Sequence, residues 1–119
     1  MCNVIFTGIS KVFSLTNEQQ YNTIGRFWDE MAEKYGLENL QGLGYKWQGN
    51  DFYYAIGLKD DNIPDHNVSL PLPDEGWVTV RGKTDALKEI YDAIYQDGRL
   101  RYEIELFHED GTCEISYYR

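Results

Sequence analysis

The residue with the clearest chemical promise is Glu105, in the run Tyr102-Glu103-Ile104-Glu105-Leu106-Phe107. Alternate side chains of a strand point to opposite faces. Ile104 and Leu106 are therefore expected against the helices, and Glu103, Glu105 and Phe107 on the other face. Glu103 is nearer the strand start and is expected to be the wetter of the two acids. Glu105 lies mid-strand beside Phe107, across from the aromatic end Tyr117-Tyr118. A carboxylate in an aromatic wall loses hydration, which raises its pKa unless a cation or hydrogen-bond donors compensate. By pattern alone, a glutamate on a solvated strand face is the simpler reading.

A second concentration of rings is Tyr45, Trp47, Phe52, Tyr53 and Tyr54. Alternation puts Phe52 and Tyr54 on one face and Tyr53 on the other. Trp28, beside Phe27, lies on the apolar face of a helix, and Trp77 stands at the start of a strand. Each ring is explained equally well by ordinary packing. His66 and His108 read as surface histidines without metal-ligand spacing. Cys113 shares a face with Ile115 and Tyr117 and reads as packed. The two cysteines, Cys2 and Cys113, form no CxxC or Cys/His cluster, so neither a metal nor a disulfide framework is expected. No nucleophile-elbow, phosphate-loop or dinucleotide motif occurs, and no cofactor is expected.

The 119 residues fit one domain, 1–119. A net charge of −9 with scattered basic residues argues against nucleic acid. No apolar run approaches the ~18 residues of a membrane span. The start of the chain lacks a secretory pattern, so the expected location is the cytoplasm. The sequence leaves the oligomeric state open.

The elements that must position these residues follow a repeated plan. Asn3 to Phe13 reads as a strand bent or bulged at Gly8. Thr16-Asn17-Glu18-Gln19 opens a helix as a capping box, with Ile24, Phe27, Trp28, Met31 and Tyr35 on one face and Gly36 as its stop. Leu43–Trp47 and Phe52–Leu58 form a hairpin. Val68–Leu72 and Gly76–Gly82 are extended. Thr84 is placed to cap a second helix bearing Leu87, Ile90, Tyr91 and Ile94, which Asp97-Gly98 ends. Arg101–Phe107 and Thr112–Tyr118 pair around Asp110-Gly111. Two strand–helix–strand–strand units give an α+β fold, with one antiparallel sheet and both helices on one face.

In this order the segments resemble the GyrI-like (gyrase-inhibitor-like) small-molecule-binding domains, related to effector-binding domains of bacterial transcription activators. Ile24-Gly25-Arg26-Phe27-Trp28 looks like the family's first helix. Phe52-Tyr53-Tyr54-Ala55-Ile56-Gly57-Leu58 is similar to its Phe-x-Tyr-x-x-Gly strand. Gly76-Trp77-Val78-Thr79-Val80-Arg81-Gly82, with Ile90-Tyr91 in the helix that follows, resembles the corresponding strand and helix. Ile104-Glu105-Leu106-Phe107 looks like the strand that supplies a pocket carboxylate. The segment from Leu58 to Trp77 is shorter than the family's, Trp77 replaces a frequent Tyr, and there is no helix-turn-helix region.

The resemblance implies a duplicated βαββ fold with a ligand pocket between the halves and Glu105 facing it. It implies a stand-alone protein that binds hydrophobic, planar or cationic molecules in sequestration, sensing or detoxification. The expected ligand-binding set is Trp28, Phe52, Tyr54, Trp77, Glu105, Phe107 and Tyr117. It also implies an alternative, a hydrolase that opens the cyclopropane ring of DNA-alkylating natural products. There Glu105 would activate water and Tyr54 would donate to the oxygen that gains charge.

Overall fold

A computed structural model describes residues 4–14, 19–96 and 100–119. Nine elements follow in the order β1 (Val4–Ser14), α1 (Gln19–Tyr35), β2 (Leu40–Gln48), β3 (Asp51–Leu58), β4 (Val68–Leu72), β5 (Val78–Lys83), α2 (Leu87–Tyr95), β6 (Tyr102–Phe107) and β7 (Thr112–Tyr118). The capping box at Thr16–Gln19 and the stop at Asp97-Gly98 fall at least partly outside the described residues, as does Cys2. Among the described residues, no helix is long and apolar enough to cross a membrane.

The strands form one seven-stranded sheet in the order β4-β1-β3-β2-β6-β7-β5, with every neighbouring pair antiparallel. The duplication is visible in that order. The first unit, β1-α1-β2-β3, lays its strands down as β1-β3-β2. The second, β5-α2-β6-β7, lays them down as β5-β7-β6, and the two meet at β2 and β6. Strand β4 is an addition outside β1.

Gly8 bends β1, as its place in the sequence suggests. Up to Gly8 the strand pairs with β4, and from Ile9 onward with β3. The corner brings backbones into contact: a Cβ on Gly8 would sit 2.6 Å from the Ile56 carbonyl oxygen, and one on Gly57 would overlap the Thr7 carbonyl oxygen. Backbone atoms cannot swing aside as a flexible side chain does. Gly57→Ala is therefore expected to cost about 2 kcal/mol or more, read as a lowered urea midpoint with an unchanged m-value.

The bend lets β4 and the start of β1 fold over the back of the sheet. Phe6 and Leu72 bury Leu43, Tyr45 and Ala55 there, with Ile104, Tyr102 and Trp77 packed around them. The segment from Leu58 to Trp77 thus supplies much of the cover for the back face. On the front face α1 packs Phe27, Trp28 and Met31 against Phe52, Tyr54 and Ile56, joined by Ile63 from the loop. Helix α2 packs Tyr91 and Ile94 against Cys113 and Ile115. Gly36, with φ 86°, follows α1 and donates its N–H to Ala32 at 2.8 Å. Thr84 does not cap α2. It begins a 3-10 turn, Thr84–Ala86, and α2 has no side-chain cap.

Candidate functional site

Between the two helices and the centre of the sheet lies a cavity of about 130 Å³. It exists because β2 presents glycines there. Residues 42 and 44 are the inward positions of β2, and in register they face Glu105 and Glu103 on β6. Where two large residues would fill the space under the helices, the sheet has bare backbone. The walls are Ile24, Gly25 and Trp28 from α1, Trp47 from β2, Phe52 and Tyr54 from β3, Leu87, Tyr91 and Tyr95 from α2, and Phe107 from β6.

Gly42 also lets one side chain cross a strand. Tyr54 belongs to β3, yet its hydroxyl reaches over β2 and donates a hydrogen bond to Glu105 on β6. A Cβ at position 42 would overlap that hydroxyl and lie 2.7 Å from the Trp28 ring. The Trp28 indole N–H donates to the same hydroxyl at 2.8 Å. The result is a buried relay, Trp28 to Tyr54 to Glu105. Phe107 meets the Trp28 ring edge-on, with centroids 4.8 Å apart. At the other end of the cavity the Tyr95 hydroxyl donates to Glu103 at 2.6 Å.

Both glutamates are only 4% exposed. Burial pushes each carboxyl up to about 7, and the tyrosine donors only partly offset it. Burial first, and the Glu105 charge second, hold the Tyr54 hydroxyl well above the usual phenol range. It stays a donor. Among the described residues no Lys, Arg or His lines the cavity and no ion pair reaches either glutamate. Two acids in an aromatic hollow without a cation are costly to ionise. Among the described residues no cluster of acids, histidines and cysteines is arranged to hold a metal.

The structure brings Trp28, Phe52, Tyr54, Glu105 and Phe107 to this cavity. It corrects three other expectations. Glu103, Glu105 and Phe107 face the helices, not the opposite face. Ile104 is the residue that turns away, because the covered back of the sheet offers it an apolar core. Glu103 is buried rather than wet, because Tyr95 closes over it. Trp77 and Tyr117 do not line the cavity. Trp77 precedes the edge strand β5 and is held on the back face, its indole N–H bonded to the Pro73 carbonyl at 2.8 Å and its ring near Tyr102 and Tyr118. Tyr117 packs against the α2 core, with the Arg119 guanidinium 5.1 Å above its ring.

Trp47, Tyr91, Tyr95 and Glu103 are wall residues that the sequence did not assign. Strict alternation would put Trp47 with Tyr45 on the back. Lys46 takes φ 52°, the β2–β3 register slips between Tyr45 and Gln48, and Trp47 turns to the front, stacked on Phe52 at 5.9 Å. Tyr91 and Tyr95 carry a readable signal, an i, i+4 pair of rings on one helix face.

Among solved structures the chain is similar to SAV2435 bound to tetraphenylphosphonium, with a TM-score of 0.69. The alignment covers 98% of this chain and 88% of that one at 14% identity. The fold is GyrI-like. No family model and no curated protein sequence matches the chain. In this chain the two βαββ units meet at β2 and β6, which is where the cavity lies.

Proposed function

We propose that the protein binds hydrophobic, planar or cationic small molecules at this cavity, cationic ones above all, in sequestration, sensing or detoxification. The observation that carries the reading is the pair of buried carboxyls with ring walls and no cation among the described lining residues. An incoming cation restores the charge balance that burial removed. The rings add stacking and cation–π attraction of about 0.5–2 kcal/mol per contact. That the neighbour with this fold was solved with tetraphenylphosphonium, a lipophilic cation, supports the same ligand class.

The test is a thermal-shift comparison of tetraphenylphosphonium with tetraphenylborate, near-isosteric ions of opposite charge. The cation is expected to raise the melting temperature at pH 8, since a ligand at 100 times its Kd stabilises by about 2.7 kcal/mol. The anion is expected to give no shift. Equal shifts with both ions would remove charge from the account.

The Tyr54–Glu105 contact favours a second reading, hydrolysis of a strained ring. Glu105 with a pKa near neutrality suits a general base, and Tyr54 a donor. Turnover of a cyclopropane-bearing alkylator to its water adduct, beyond one equivalent and read by mass, separates enzyme from binder.

A further inference from the structure

One acid suffices to balance a single positive charge, yet the cavity holds two, and they are held differently. Glu105 is gripped from inside. Its donor Tyr54 is 3% exposed and is itself bonded by Trp28. Glu103 accepts its hydrogen bond from Tyr95, the last residue of α2 and 43% exposed, whose ring stacks on Tyr91 with centroids 5.8 Å apart. Tyr54 is thus a core donor and Tyr95 a donor at the rim of the cavity. The two acids are successive inward residues of one strand, so they stand roughly 7 Å apart along it. Between them and the helices lies about 130 Å³, of the order of the ~150 Å³ hollow known to admit benzene.

We infer, resting on the cation-binding reading above, that the cavity is a two-point site for single-ring aromatic dications, one cationic group meeting Glu105 and the other taking the place of the Tyr95 hydroxyl on Glu103. The titratable groups facing the two acids are Tyr54 from β3, Tyr91 and Tyr95 from α2, and Cys113 from β7. None of them is a cation; Arg119, over the ring of Tyr117 beside Glu103, donates to the Ile94 carbonyl and is not among the lining residues.

The experiment is isothermal titration at pH 8, where both carboxyls are largely ionised. The probes are 1,4-bis(aminomethyl)benzene, whose two ammonium groups span about the distance between the acids, and its single-charged analogue 4-methylbenzylamine. Wild-type protein is expected to bind the dication about 10-fold more tightly or better. Glu103→Gln is expected to bring the ratio of the two affinities toward one. Tyr95→Phe, a change at a half-exposed position, is expected to raise that ratio about threefold, because the ligand no longer displaces a hydrogen bond. A wild-type ratio near one, or a ratio that Glu103→Gln leaves intact, overturns the two-point site while monocation binding keeps the proposed function. Binding of tetraphenylphosphonium but of neither amine has the same meaning. Failure of all three cations overturns both.

Discussion

Replacing Glu105 by glutamine is expected to stabilise the protein at pH 8 and to flatten its dependence on pH. The folded protein holds the Glu105 proton up to a pH of about 7, whereas an unfolded glutamate releases it near ~4.3. Between those values the folded state binds more protons than the unfolded chain. Stability is therefore complete below about pH 4 and falls as pH rises, with the loss fully developed above pH 7. At about 1.4 kcal/mol per unit, the shift corresponds to roughly 4 kcal/mol for this carboxyl, and Glu103 adds a loss of the same sign. Glutamine accepts the Tyr54 hydrogen bond without ever ionising, so most of that loss disappears. Urea unfolding at pH 5, 6, 7 and 8 reads both effects. An Glu105→Gln protein with the wild-type slope would mean that the carboxyl is hydrated. The same substitution is expected to weaken tetraphenylphosphonium binding at pH 8 at least ~10-fold. Gain of stability with loss of binding is the signature of a group kept for a ligand.

The second large effect is expected at Gly42, a residue with no side chain to touch a ligand. Gly42→Ala places a methyl group where the Tyr54 hydroxyl lies and 2.7 Å from the Trp28 ring. Tyr54 must withdraw, and its bonds to Glu105 and Trp28 break together. The expected cost is about 1–3 kcal/mol from overpacking, with a loss of cation affinity of ~10-fold or more as the relay and the cavity floor are lost together. Gly44→Ala is the control. Its methyl group meets chiefly the edge of the Trp47 ring, at 3.1 Å, and that ring stands at a bulge where it can give. A smaller loss on both measures is expected. Equal effects at the two positions would show that the relay is not what Gly42 protects.

Much of the fold was legible because its signals are local. Turn residues punctuate the strands, the two helices carry apolar faces at helical spacing, and Gly8 marks a real corner. The direction of β6 was not legible, because the reading assumed that apolar residues face the helices. In this protein both faces of the sheet are covered, so the alternation of Glu103-Ile104-Glu105 does not by itself say which side is dry. The register does: Gly42 and Gly44 lie opposite the two acids, and small residues facing acids across a strand pair mark a hollow. Register between β2 and β6 joins halves of the chain some sixty residues apart, and no local pattern encodes it. Trp47 was lost to a single left-handed residue, Lys46. Trp77 was misplaced by treating an aromatic residue before a strand as part of the cavity, when the turn after Pro73 holds it on the back.

The claim that cations exchange for protons on buried carboxyls is open to direct measurement. Titrating the protein with tetraphenylphosphonium at pH 6.5, in buffers of different ionisation enthalpy, counts the protons released per ligand bound. With Glu103 and Glu105 both near 7, release of between about half a proton and one and a half protons is expected, with affinity rising as pH is raised from 5.5 to 8. Binding that releases no protons and keeps the same affinity across that range would contradict the account.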